Sequence, residues 1–152
     1  MKNFIILIAA LAIVSLAKCQ ITMSEDGYYY NESNSLYTGS YMEYYDDGTI
    51  KIEHQLKDGA YNGETKIYYS NGNLKEVRSF KNGLKDGEWI TFNLDGSKSG
   101  EAHFFNDTKD GQWITYDVNG VKRSEINYAN GVKTGTGKIF DNKGNLEKKM
   151  KF

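Results

Sequence analysis

The side chains of this sequence that could do chemistry are few. The 152 residues include two histidines, His54 and His103, and one cysteine, Cys19. A hydrolase or transferase needs a base held against a nucleophile or a metal. The two histidines lie far apart in the sequence and we expect them on opposite faces of a sheet, so a shared metal site is not expected. The sequence predicts no catalytic residue, no metal ligand and no cofactor.

Aspartates beside glycines are the remaining candidates for a metal site. Turns such as Asp46-Asp47-Gly48 and Lys109-Asp110-Gly111 place carboxylates near backbone oxygens. Calcium takes six to eight oxygen ligands, and no single loop supplies that many. We therefore expect these carboxylates to cap backbone amides of their own turns.

Glycines recur through the chain at one spacing of 24 residues and form three ladders. The first ladder is Gly39, Gly63, Gly87, Gly111 and Gly135; the second is Gly48, Gly72, Gly96, Gly120 and Gly144; the third is Gly59, Gly83 and Gly131, with Asp107 in the missing place. A fixed period of this length is the signature of a repeat protein. One unit is too short to bury a core alone, so successive units must stack.

Large apolar residues keep the same period. They stand five residues after each glycine of the first ladder, at Tyr44, Tyr68, Phe92, Tyr116 and Phe140, and seventeen after it, at Leu56, Phe80, Phe104, Tyr128 and Phe152. The chain contains no proline, which suits strands that donate every amide. The pattern predicts an all-β fold over residues 36–152. Its form would be an elongated, single-sheet antiparallel meander of about five β-hairpins.

The second glycine ladder marks the hairpin turns. Four of its five members follow Asp or Asn, and these dipeptides are strong hairpin signals. A three-residue loop with the glycine in a left-handed bulge would place Tyr44 opposite Ile50 and Tyr68 opposite Leu74. We prefer this loop to a two-residue turn because it separates apolar from polar side chains more completely between the two faces of the sheet.

In that register the two faces of the sheet differ: one is mainly apolar and the other is mainly polar. The apolar face of the first hairpin would hold Met42, Tyr44, Ile50, Ile52, His54 and Leu56, and later hairpins would add Ile90, Phe92, Ala102, Phe104, Ile114, Tyr116, Ile126 and Tyr128. The polar face would carry Trp89 and Trp113 beside Thr91, Thr115, Glu101 and Glu125. The tryptophans either pack over neighbouring strands or contact a protein or glycan partner. The candidate partner-contact residues are Trp89, Trp113, Tyr41, Tyr45 and Tyr69.

The first 19 residues differ from the repeats. Met1-Lys2-Asn3 precedes an apolar run from Phe4 to Ala17, which predicts a helical signal peptide over residues 1–19. Cleavage after Cys19 or after Ala17 would send the protein to the periplasm or the medium. The alternative is an envelope lipoprotein acylated on Cys19, although Lys18 stands where a lipobox has a small residue. Residues 20–35 do not share the period and are expected to form a polar leader or an N-terminal cap.

Charge argues against a nucleic-acid partner. The full chain has a formal net charge of −1, and a chain without its first 19 residues has 17 basic and 20 acidic residues, a net charge of −3. Nucleic-acid binding needs a basic patch or stripe. Contact with a membrane is expected only through the signal peptide or an acylated Cys19.

The repeats resemble a known family. The likeness runs from about Leu36 to Phe152, and the residues that carry it are Gly87-Glu88-Trp89-Ile90-Thr91-Phe92 with Asp95-Gly96, Gly111-Gln112-Trp113-Ile114-Thr115-Tyr116 with Asn119-Gly120, and Gly63-Glu64-Thr65-Lys66-Ile67-Tyr68 with Asn71-Gly72. These segments look like the MORN repeat variant. Tyr41 and Gly137 replace the tryptophan in the first and last units. Similar proteins are often labelled antitoxin components of the YwqK type.

The resemblance implies a non-catalytic bacterial β-repeat protein that binds another protein. The antitoxin label would make that partner a toxin, but an exported chain meets no cytoplasmic toxin. We therefore expect an exported interaction module, with an antitoxin-like or immunity-like role as its narrower form. The alternative is a structural or glycan-contacting envelope protein. Dimerisation of this chain through its open apolar face is a further alternative.

Overall fold

The computed structural model describes residues 20–152, which form an all-β structure. No helix in this range is long and apolar enough to cross a membrane. The predicted signal helix and Cys19 lie outside the described residues. The strands are β1 (Thr22–Met23), β2 (Tyr29–Tyr30), β3 (Gly39–Tyr44), β4 (Ile50–Lys57), β5 (Ala60–Tyr68), β6 (Leu74–Lys81), β7 (Leu84–Phe92), β8 (Lys98–Phe105), β9 (Thr108–Lys109), β10 (Gly111–Tyr116), β11 (Lys122–Ala129), β12 (Val132–Phe140) and β13 (Leu146–Lys151).

One antiparallel sheet contains eleven of these strands. They follow in chain order from β3 to β13. The short β9 and the strand β10 that follows it both pair with β8. Five hairpins result: β3–β4, β5–β6, β7–β8, β10–β11 and β12–β13. The predicted meander of about five hairpins is confirmed. Strands β1 and β2 form a separate two-stranded sheet.

The hairpin turns have the predicted three-residue loop. In the first of them the Gly48 amide donates to the Tyr45 carbonyl, and the Tyr45 amide donates to the Thr49 carbonyl. Gly48 has a φ of 85°, in the left-handed region, and the other four glycines of its ladder have φ between 76° and 86°. Asp47 accepts from the amide and the hydroxyl of Thr49, and these two bonds lower the pKa of its carboxyl, the hydroxyl contributing more. The aspartate therefore caps its own turn, as expected.

A second bulge, which the sequence reasoning missed, follows each turn. Tyr44 lies opposite Ile50, as predicted, but the preceding residue, Glu43, lies opposite Ile52, so Lys51 is an extra residue in β4. The same shift recurs in the other hairpins, at Lys75, Ser99, Arg123 and Glu147. An odd residue in one strand reverses which side chains share a face.

The predicted faces are therefore wrong in part. Beyond the bulge, Trp89 lies opposite Ala102 and Gly87 lies opposite Phe104, whereas Ile90 lies opposite Glu101. The tryptophans share a face with the apolar residues of the following strand, and the glutamates lie on the other face with Ile90 and Ile114. His54 and His103 do face opposite sides, as expected.

Short turns join one repeat to the next. In each of them both central residues have positive φ, which is the type I′ geometry: Asp58-Gly59, Asn82-Gly83, Asn106-Asp107 and Asn130-Gly131. The second residue of each turn donates its amide to a carbonyl of the preceding repeat, at Tyr37, Tyr61, Lys85 and Lys109 respectively. Each turn is thus hydrogen-bonded to the repeat before it.

The single-layer sheet buries little. Within residues 20–152, the hydrophobic residues with less than a tenth of their surface exposed are Tyr29, Leu56, Phe104 and Ile114. Tyr29 comes from the segment before the repeats. Its amide donates to the Gly59 carbonyl, and its carbonyl accepts from the Tyr37 amide. The N-terminal segment therefore packs against the first turn between repeats.

The turn geometry predicts the effect of a substitution at Gly96. Gly96→Val should lower the free energy of unfolding by about 1–3 kcal/mol, because a β-branched residue resists the left-handed region. A Cβ at this position would meet no atom within 4 Å, so the loss is conformational rather than steric. Chemical denaturation measures it. Gly96→Asn is the matched control, since asparagine tolerates this region, and equal losses in the two variants would contradict the turn assignment.

Candidate interaction surface

A continuous row of aromatic rings crosses one face of the sheet. The row, called the aromatic row below, consists of Tyr29, Tyr41, His54, Tyr61, Phe80, Trp89, Phe104, Trp113 and Tyr128. Consecutive ring centres are 4.9–6.1 Å apart. Most of the contacts are tilted or edge-on, which are favourable geometries for aromatic pairs. Tyr29, from the N-terminal segment, packs on the rings of Tyr41, His54 and Tyr61. The described residues form no further sheet or helix over the rest of the row, where the rings bury one another.

Glycines of the first ladder allow the strands to approach beside this row. Gly63 and Gly87 have φ of 109° and 101° and sit where β5 and β7 bulge against the preceding strand. A Cβ on Gly87 would lie 3.1 Å from the Ser79 Cβ, and one on Gly63 would lie 3.2 Å from the Gln55 Cβ. Any larger residue would push the strands apart.

Three of the five predicted contact residues belong to the aromatic row. Trp89 lies between Phe80 and Phe104, with ring centres 5.9 and 4.9 Å away. Its indole Nε1 donates to the Ser79 carbonyl, and the Nε1 of Trp113 donates to the His103 carbonyl. Tyr41 stacks on the His54 ring at an angle of 6°. Both tryptophans therefore pack against side chains of neighbouring strands and also form part of the surface of this face.

The other two predicted residues, Tyr45 and Tyr69, connect neighbouring repeats. The Tyr45 hydroxyl donates to the Tyr68 carbonyl at 2.7 Å, and the Tyr69 hydroxyl donates to the Phe92 carbonyl at 2.9 Å. The two contacts are equivalent in successive repeats. The structure does not bring these tyrosines into the aromatic row.

Cations lie over the row, and the sequence reasoning did not single them out. The Lys85 Nζ is 5.1 Å from the ring centre of Trp89 and 5.4 Å from that of Phe104. In the next repeat the Lys109 Nζ is 4.2 Å from the centre of Trp113. Lys133 lies over Phe152 at 5.1 Å. Their common spacing of 24 residues is the feature of the sequence that could have identified them. We call Lys85, Lys109 and Lys133 the lysine ladder.

The opposite face carries paired charges. Glu101 accepts from Lys98, which lowers the pKa of its carboxyl, and Glu125 binds Lys138 and Lys122, which lower the pKa of that carboxyl. A concavity of about 140 Å³ beside them is lined by residues that include Glu88 and the exposed His103. Within residues 20–152, no cluster of histidine, cysteine and acidic side chains is arranged to hold a metal ion.

His54 is the buried titratable group of the aromatic row. Its Nδ1 is 3.1 Å from the Thr65 Oγ1, and its Nε2 is 3.8 Å from the Glu43 Oε1. The rings of Tyr29, Tyr41 and Tyr61 surround it. Burial lowers the pKa of the imidazole, and Arg78 acts in the same direction, whereas Glu43 opposes both. The neutral ring is therefore favoured in the folded protein.

Comparison with known families agrees with this architecture. Three segments, residues 37–58, 61–82 and 109–130, match the model of the MORN repeat variant. Each matched segment corresponds to one hairpin, β3–β4, β5–β6 and β10–β11 respectively, and the matches start in step with the 24-residue glycine period. No curated protein matches the chain.

The packing of the repeats predicts which aromatic residue matters more for stability. We expect Trp89→Ala to lower the free energy of unfolding by about 3 kcal/mol, because it removes the middle of the aromatic row. Phe92→Ala, a control in the same strand, should cost less, since no ring of the row contacts Phe92. Urea denaturation of the two variants compares them. A larger loss for Phe92→Ala would mean that the faces are inverted.

Burial of His54 predicts a loss of stability in mild acid. Its pKa is lowered on folding, so the unfolded chain binds the proton first and stability falls as the pH drops below about 6.5, the value for an unperturbed histidine. One proton limits the slope to about 1.4 kcal/mol per pH unit. Denaturation at pH 7, 6 and 5 measures the slope. His54→Asn should flatten it, whereas His103→Asn, at an exposed site, should leave it unchanged; equal slopes for all three proteins would contradict this account.

Proposed function

We propose that this chain is a non-catalytic interaction module that binds a partner protein through the aromatic row and the lysine ladder. The observation that carries the proposal is the row itself. Eight of its nine rings come from strands of the large sheet, and Tyr29 from the N-terminal segment packs on three of them. The described residues form no further sheet or helix over the rest of the row. Aromatic side chains anchor protein interfaces because they bring a large apolar area at low entropic cost.

The lysines favour a protein partner over a glycan. A sugar ring stacks on the open face of an indole. The Lys109 ammonium lies 4.2 Å from the centre of the Trp113 ring, and Lys85 lies over both Trp89 and Phe104. A glycan would have to displace these cations. An acidic protein surface would instead pair with them.

We propose export as the setting of this interaction, on the strength of the apolar segment from Phe4 to Ala17. Cleavage after Cys19 would release a soluble protein. Acylation of Cys19 would instead hold the repeats at the envelope. An immunity role is the narrower form of the proposal, in which the partner is a secreted or periplasmic toxin.

Site-specific photo-crosslinking in the native cells tests the proposal. A photoreactive phenylalanine derivative replaces Tyr128, in the aromatic row, and in a matched strain it replaces Tyr116 on the opposite face. We expect one stoichiometric protein adduct from position 128 and none from position 116. Adducts from position 116 alone would place the interface on the face opposite the aromatic row and would contradict the proposal. The absence of protein adducts at both positions would also refute it.

The same mass spectra report the processing of the chain and the nature of the partner. A mature protein that starts at Lys18 or Gln20 supports soluble export, a lipid-modified Cys19 supports the anchored form, and an intact Met1 contradicts export. If the crosslinked protein stops growth when it is expressed without this chain, the immunity role follows. If it is harmless, that narrower role is wrong and the interaction module remains.

A further inference from the structure

The lysine ladder is a regular line of positive charge, with Lys85 and Lys109 over the aromatic row and Lys133 over Phe152, a ring outside the row. Lys85, Lys109 and Lys133 occupy equivalent places in the third, fourth and fifth repeats. Tyr37 and Tyr61 take the same place in the first two repeats, so the charged part of the surface covers the last three. Each ammonium group lies 4.2–5.4 Å from the centres of the rings near it.

The lysines of the ladder have no salt-bridge partner among the described residues. Among residues 20–152 there are seven salt bridges, and none of them includes a lysine of the ladder. Arg78, which also lies over Trp89, is paired with Glu76 at 2.7 Å. Asp86 and Asp110 follow two of the lysines, but their carboxylates accept from the turn amides of Asn106 and Asn130. The ladder therefore presents its charge to a partner.

The spacing of the ladder restricts the shape of that partner. Successive lysines are two strands apart, which is about 9.6 Å for the usual distance between strands. A polyproline II segment advances about 9.3 Å in three residues and returns to the same side. In an extended β-strand, side chains on one side are about 6.8 Å apart, so they fall out of step with the lysines.

The rings beneath the ladder suit the same conformation. Polyproline II segments bind to grooves lined with aromatic side chains, and they lose little entropy because they are already extended. Between Lys85 and Lys109 the surface is formed by Trp89, Phe104 and Trp113. These rings would contact the two residues that stand between successive acidic residues of the partner.

We propose that the lysine ladder binds an acidic segment of a partner protein in the polyproline II conformation, with a carboxylate at every third residue. The inference rests on the proposed function, because it specifies the chemistry of the protein that the aromatic row contacts. It also explains why the ladder keeps the period of the repeats.

Two synthetic peptides of one composition test the spacing. The first repeats Glu-Pro-Pro four times, and the second has three glutamates, then eight prolines, then one glutamate, so that no two of its glutamates are three or six residues apart. The readout is intrinsic fluorescence, because the protein has two tryptophans and both lie in the aromatic row. We expect saturable binding of the first peptide that is about fivefold tighter than that of the second, since the first forms two more ion pairs of ordinary strength. Binding should weaken as NaCl is raised from about 50 to 300 mM.

Variants of equal charge locate the binding. Lys85→Gln, Lys109→Gln and Lys133→Gln together should weaken binding of the first peptide by about tenfold, for the same electrostatic reason. The matched control changes Lys51, Lys143 and Lys149 to glutamine, three exposed lysines away from the row. Its affinity should stay close to that of the unaltered protein. Thermal denaturation of both variants checks that each remains folded, and Lys109→Arg should keep the affinity.

The outcomes separate this inference from the proposed function. Equal affinity for the two peptides, or an equal loss of affinity in the two triple variants, would mean that binding depends on net charge alone. Either result would overturn the proposed role of the lysine ladder. Binding to vesicles of anionic phospholipid but to neither peptide would assign the cations to a lipid surface and overturn it as well. In each case a protein adduct at position 128 would still support the interaction module. Peptide binding without any protein adduct in cells would refute the interaction module.

Discussion

Contact between rings of neighbouring strands is the interaction on which this array depends. A single sheet has no second layer to cover its apolar side chains, and hydrogen bonds between strands contribute only modestly to net stability. The aromatic row solves this by packing each ring between two others from adjacent strands. Phe104 is buried in this way although only one layer of backbone lies beneath it.

The last repeat shows how the contact is kept where the sequence changes. Gly137 stands where Trp89 and Trp113 stand in earlier repeats, and it is buried. The Phe152 ring lies over it, so that a Cβ on Gly137 would come within 2.8 Å of the Phe152 Cε2. A ring from the final strand therefore covers the place that an indole covers elsewhere. The Phe152 amide donates to the Gly135 carbonyl, which fixes the backbone beneath that ring.

Local signals predicted the strands and turns but not the faces. The five hairpins and the loop at Gly48 follow from glycine and aspartate chemistry within a few residues, and the structure confirms them. The extra residue at Lys51 carries no such signal, because a polar residue near a turn looks like any exposed strand residue. In the third hairpin the equivalent extra residue, Ser99, places Trp89 on the same face as Phe104 and leaves Ile90 on the other face. The predicted faces failed for this reason.

The candidate surface was predictable to a similar extent. Trp89, Trp113 and Tyr41 stand out by residue type, and all three are in the aromatic row. Tyr45 and Tyr69 have the same appearance in the sequence, yet their hydroxyls bind carbonyl groups of the next repeat. The period of Lys85, Lys109 and Lys133 is visible in the sequence, but its meaning depends on which rings lie beneath the ammonium groups. That information is in the cross-strand register.

The order of the strands has a mechanical consequence. Strand β3 and strand β13 lie at opposite edges of the large sheet, and each strand contacts its immediate neighbours. A pulling force applied to residues 39 and 151 would load the hydrogen bonds of an edge strand one pair at a time rather than all together. The array would then peel open hairpin by hairpin at low force, and each released hairpin would lengthen the chain by the same 24 residues. A protein of this construction yields gradually under tension instead of resisting until it breaks.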